Sequence, residues 1–175
     1  MAIGKPTSQP IGHFNYCRQA KADCTVHGKE APVPVALDAM LIGKIAGLNV
    51  EINAAIEPAS DRTVYGVEER WTLPDVGRGD CEDFALLKRK RLVEAGIDIG
   101  NLLLTVVKKS DGEGHAVLTL RTTQGDFVLD NLDWRVKLWS ETPYTFVKRQ
   151  NPVNGGRWDA IIDDGATALV AATKK

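Results

Sequence analysis

The chain has 175 residues, 43% of them hydrophobic and 26% charged, with a formal net charge of −1. That length suits one domain with its own core. The near-zero charge argues against nucleic acid as a general partner, which would call for a basic excess. No apolar run approaches the roughly 18 residues of a membrane span. Met1 to Pro10 lacks the apolar core of a signal peptide, so the chain reads as cytosolic or as a mature exported protein.

Residues 1–34, rich in Pro, Gly and polar side chains, read as an irregular N-terminal arm packed on the domain. His13 and His27 read as solvated or hydrogen-bonded surface histidines. Three cysteines allow a Cys17–Cys24 disulfide with Cys81 free, or three reduced thiols. Cys17, Cys24 and His27 have no usual zinc spacing and lack a fourth ligand, which favours a disulfide over a metal.

From Val35 to about Glu57, Leu37, Leu41, Ile45, Leu48, Ile52 and Ile56 recur at steps of three and four, giving the apolar stripe of a helix that Pro58 ends. A connector follows, with a short strand expected at Thr63–Val67 and Trp71 lining either a groove or the core. Gly77-Arg78-Gly79-Asp80-Cys81-Glu82-Asp83 then leads into a second helix, Cys81–Ala95, with Gly96 placed as its cap. Lys88 interrupts the buried arc of this helix and is expected to snorkel. The run Lys88-Arg89-Lys90-Arg91 reads as a solvated face. Beyond Gly100 the period shortens. Leu102–Lys108, His115–Arg121 and Phe127–Leu132 read as strands joined by short turns, with more around Trp134–Leu138 and Tyr144–Lys148. Helices followed by consecutive strands predict an α+β domain with an antiparallel sheet. Residues 35–165 form a single catalytic domain on this reading, and residues 166–175 an Ala-rich C-terminal tail.

A cysteine at a helix N-terminus meets partial positive charge and free N–H donors, the setting of a nucleophilic thiol. Such a thiol needs a base, and the base needs an orienter. His115 opens one strand and Asp130 closes the next, so a hairpin can bring them together; Cys81, His115 and Asp130 are the catalytic candidates. Asp80, Glu82 and Asp83 suit a helix N-terminus, but negative charge beside a thiol raises its pKa. Either a hard cation such as calcium sits among these carboxylates, or Arg78 or another basic residue pairs with them, which is the simpler arrangement.

The block Gly77–Ala85, the run His115-Ala116-Val117-Leu118 and the run Val128-Leu129-Asp130-Asn131-Leu132 resemble the bacterial transglutaminase-like cysteine proteinases, a family that includes periplasmic LapG-like proteases of surface adhesins. Tyr65-Gly66 and the segment Phe14-Asn15-Tyr16-Cys17 through Cys24 resemble further family features. The resemblance runs from about residue 10 to 162. It implies a papain/transglutaminase-like fold, with Cys81 as nucleophile, His115 as base and Asp130 as orienter, cleaving a peptide bond of a protein substrate through a thioester. It also implies calcium on Asp80 and Glu82, although acyl transfer itself needs no cofactor. Export is implied too, to the periplasm or beyond, the missing leader being explained by a trimmed chain. Two alternatives use the same residues: a transglutaminase-type acyltransferase, and a non-catalytic binding module that retains the fold.

Overall fold

The structure is a computed structural model that describes residues 1–162; the Ala-rich tail expected from residue 166 lies outside them. Its centre is a seven-stranded antiparallel sheet in the order β1 (Ala2–Thr7), β9 (Trp158–Ile162), β8 (Thr145–Gln150), β4 (Leu102–Lys108), β5 (Gly114–Thr122), β6 (Gly125–Leu129) and β7 (Lys137–Leu138). The first strand pairs with the last, Ala2 opposite Ile162. The expected irregular arm therefore carries regular structure: β1 completes the sheet, and α1 (Ile11–Gln19) follows it. Six exposed or half-buried residues with little periodicity hid that strand; its backbone pairing with a segment 160 residues away creates it.

The middle strands are buried on both faces, so they read as nearly continuous apolar runs. Alternation still sorts them. Leu102, Leu104, Leu118, Leu120 and Leu129 face one core with Ala85, Leu86, Leu92, Ile45 and Trp158, while Val107, Val117, Val128, Phe146 and Ile161 face the other side. Two helices cover the first face: α2 (Ala39–Ala55) and α4 (Cys81–Glu94). The side chain of Asp38 caps α2 by accepting the Leu41 N–H at 2.7 Å.

Between the two helices the chain forms β2 (Glu57–Pro58), α3 (Asp61–Tyr65) and β3 (Arg78–Gly79), with β2 and β3 paired in parallel. The strand expected at Thr63–Val67 is thus a helical turn ending at Gly66. Gly79 sits where a Cβ would lie 2.5 Å from Asp83 Oδ2, so the chain can enter α4 only with glycine there. At the other end Gly96 adopts φ +93°, the left-handed cap expected of it.

Two expectations about α4 are overturned. Lys88 does not snorkel: it is 0% exposed. Arg89, expected on a solvated face, is 3% exposed. The helix is covered on more than one side, by the sheet and α2 and by the N-terminal segment, whose Asp23 carbonyl accepts from Arg89 Nη2 at 3.3 Å. Charge alone is a poor guide to the exposed face of a helix packed this way.

Candidate active site

The N-terminus of α4 meets the start of β5. Cys81 is the first residue of α4 and the free cysteine among the described residues; Cys17 and Cys24 are joined in a disulfide. The Cys81 Sγ accepts the Ala116 N–H at 3.4 Å and donates to Glu82 Oε2 at 3.1 Å. Cys81, Glu82 and His115 line one cavity of about 300 Å³, with Trp71, Pro10 and Lys148 around them. Trp71 answers to both of its expected roles: it lines the cavity, and it packs edge-on against Trp158 in the core.

His115 is buried, and its Nε2 lies 2.8 Å from Asp130 Oδ1. The hairpin joining β5 to β6 runs Leu118 opposite Leu129, which carries His115 and Asp130 to the same end of the two strands. Asp130 also accepts the Leu132 N–H at 3.0 Å and the Tyr144 hydroxyl at 2.5 Å, and its own carbonyl accepts from Asn53 of α2 at 2.8 Å. Burial alone would raise this carboxyl, but the hydrogen bonds from His115, Leu132 and Tyr144 outweigh it and hold the pKa below the usual range. The Tyr144 ring stands 5.6 Å from that of His115. The three expected residues therefore meet at one end of the sheet. Tyr144 and Asn53 were invisible to sequence reasoning, being brought in by the residue that leads into β8 and by α2.

Carboxylates crowd the other side of the thiol. Ligand oxygens of Asp61, Asp80 and Glu82 all lie within 4.8 Å of one another. Asp80 Oδ2 accepts the Asp61 N–H at 3.2 Å, whereas Asp61 Oδ1 and Asp80 Oδ1 have no partner among the described residues. Burial, then the negative charge of Asp80, raises the Glu82 pKa. Burial likewise raises Asp61. Burial and the adjacent Glu82 push the Cys81 thiol well above its ordinary value. Arg78, the expected basic partner, is instead paired with Glu57 at 3.4 Å. Asp83, expected among the helix-end carboxylates, turns inward: it is buried and accepts the Thr72 N–H at 2.9 Å. Asp61 went unnoticed in the sequence because it lies nearly twenty positions upstream with no motif around it.

His13 is also not where its neighbours in sequence suggested. It is 0% exposed, receives the Trp158 indole N–H at 3.2 Å and lies between the rings of Trp71 and Trp158. Burial, then Arg89, lowers its pKa to about 3, so it is a neutral core group. His13 lies close to Cys17 and Cys24, but the bonded sulfurs are not thiolates and cannot serve as metal ligands.

Residues 3–166 match the family model of the bacterial transglutaminase-like cysteine proteinases. The chain belongs to this family. It is a transglutaminase-like cysteine protease, and a protease implies a protein substrate. No curated protein matches the chain. Solved structures of Legionella pneumophila LapG share its fold. The EGTA-treated form has a TM-score of 0.59 at 23% identity, over 75% of this chain and 76% of that one. A further LapG structure gives 0.57 at 23% identity over 75% of each chain. The calcium-bound form gives 0.52 at 23% identity, over 64% of this chain and 71% of that one. Among the described residues, no helix is long and apolar enough to cross a membrane.

Proposed function

We propose that this cysteine protease works through Cys81 as nucleophile, His115 as general base and acid, and Asp130 as orienter. The observation that carries the reading is the His115 Nε2 to Asp130 Oδ1 contact of 2.8 Å, in a ring that shares its cavity with the Cys81 sulfur. With Nε2 directed at Asp130, the other ring nitrogen, Nδ1, is the one available to exchange a proton with the thiol. The thiolate attacks a peptide carbonyl, His115 protonates the leaving amine, and water activated by the same ring resolves the thioester. Main-chain N–H groups in the first turn of α4 are the donors we assign to the oxyanion.

The donor set of Asp61, Asp80 and Glu82 fits calcium. It offers hard oxygens, and among the described residues two of them are unpartnered and no arginine or lysine is in ion-pair contact with any of the three. A calcium-bound LapG structure with this fold supports the same reading. A cation there would offset the negative charge that now disfavours the Cys81 thiolate. The acyl-transfer chemistry itself needs no metal. Export to the periplasm or beyond is supported by the Cys17–Cys24 disulfide, a bond that persists in oxidising compartments.

The test is iodoacetamide alkylation of the native, calcium-loaded protein across pH, with Cys81 modification read by peptide mass. We expect rapid labelling well below pH 8 that is lost in His115→Ala. Labelling that appears only near the free-thiol pKa of about 8.5, indifferent to His115, would overturn the assignment. Cys81→Ala should keep the fold and abolish hydrolysis.

A further inference from the structure

One wall of the catalytic cavity is a row of three residues on neighbouring strands. Lys148 of β8 stands opposite Val106 of β4, and Val106 stands opposite Ala116 of β5. Residues paired across strands share a face of the sheet, and all three line the cavity that holds Cys81 and His115. The Ala116 N–H touches the Cys81 sulfur at 3.4 Å. Two strand spacings place the Lys148 backbone roughly 10 Å from that of Ala116, about three residues of an extended peptide.

The other charged or titratable groups around this cavity are engaged. Glu69 accepts the Trp71 indole N–H at 2.7 Å, Glu82 accepts from the Cys81 thiol at 3.1 Å, and His115 is held by Asp130. Lys148 is half-buried, and its Nζ donates to the Ser8 carbonyl at 2.9 Å. An ammonium carries three donors, and among the described residues no carboxylate lies within ion-pair distance of this one. Burial works against its charge, and no anion of the chain offsets that. A strut that merely ties β8 to the segment before Pro10 would explain the Ser8 bond, but a neutral donor would serve there equally well.

We propose that Lys148 is a specificity-determining residue of the protease, and that its ammonium binds an acidic side chain of the substrate, Asp or Glu, within about three residues of the scissile bond. The proposal rests on the Cys81–His115–Asp130 reading above. The substrate brings the carboxylate that the fold withholds, and the charge-assisted hydrogen bond uses donors that are idle in the free enzyme. A basic residue at the same place in the substrate meets a like charge and is rejected.

The experiment compares two alkylating probes on the native, calcium-loaded protein: the α-amides of N-iodoacetyl-glutamate and N-iodoacetyl-glutamine, alike in size and differing in one charge. Cys81 modification is followed by peptide mass, and the quantity read is the ratio of the two rates. Lys148→Gln keeps a side-chain donor and removes the charge. It should lower the glutamate-to-glutamine ratio by roughly threefold; Lys148→Glu should lower it further, and Lys148→Arg should preserve it. Loss of a strut would change both rates together, so a ratio unmoved in Lys148→Gln and Lys148→Glu would overturn the proposal. Should Lys148→Gln fail to fold, the same ratio in Lys148→Met decides. If labelling depends on His115 while the ratio ignores Lys148, this proposal alone falls. If labelling by both probes proves indifferent to His115, the protease mechanism falls instead.

Discussion

The Cys81 sulfur lies 3.1 Å from Oε2 of Glu82, its neighbour in the chain. A nucleophile pressed against a carboxylate is a thiol by default, and the carboxylate must be neutralised before the thiolate can form. If calcium does this, chelation should slow Cys81 alkylation and lower the melting temperature together. At a calcium concentration of about 100 times Kd the lost stabilisation is roughly 2.7 kcal/mol, or about 5–10 °C for a chain of this size. If EGTA changes neither quantity, Asp61, Asp80 and Glu82 hold no calcium.

Asp83 gives a pH dependence of opposite sign to that of Asp130. Burial raises the Asp83 pKa to about 7 in the folded chain, so the native state holds this proton more tightly than the unfolded state does. Stability from this group is therefore present near pH 4 and is lost as pH rises toward 7. Asp130, with its lowered folded pKa, contributes stability at neutral pH that is lost in acid. Thermal melts of the calcium-free protein from pH 4 to 7 should fall less steeply in Asp83→Asn than in the parent. Equal slopes would refute the assignment of a buried, protonated Asp83.

Tyr144→Phe removes the 2.5 Å hydrogen bond to Asp130 Oδ2 but leaves the ring beside His115. A hydrogen bond to a charged group contributes about 1.5–3 kcal/mol. We expect alkylation at neutral pH to slow by roughly tenfold and the melting temperature to fall by about 3–10 °C. An unchanged rate would show that His115 and the Leu132 N–H suffice to hold Asp130.

The Cys17–Cys24 disulfide ties the end of α1 to the short helical turn that follows it, across a sequence separation of 7. Closing so short a loop stabilises by roughly 2–3 kcal/mol in the chain-entropy model. Reduction or Cys17→Ser should therefore lower the melting temperature by about 5–10 °C. Intact mass after alkylation, with and without reductant, should show two cysteines protected in the native protein. Three free thiols would contradict the pairing.

Leu118→Ala in the middle of β5 should destabilise by about 2–5 kcal/mol through transfer and cavity terms, since Leu118 is fully buried at the sheet–helix interface. Denaturant melts measure this directly. A loss under 1 kcal/mol would mean the core collapses around the gap.

The α+β class, the two long helices, the order of the central strands and the three residues assigned to catalysis were legible in the chain by itself, because each rests on local patterning. Steps of three and four mark α2, turn residues bracket β4 to β6, and a glycine-led loop delivers Cys81 to a helix start. Even the meeting of His115 and Asp130 follows from a single hairpin. Interactions between distant segments were decided only in three dimensions. Strand β1 exists because β9 is there to pair with it, and His13 is a core residue because Trp71 and Trp158 enclose it. Asp61 joins Asp80 and Glu82 through the β2–β3 pairing that folds its segment back, and Lys88 is buried because α2 and the sheet close around α4. Secondary structure follows from periodicity along the chain, whereas burial and charge pairing depend on what the rest of the chain brings to each residue.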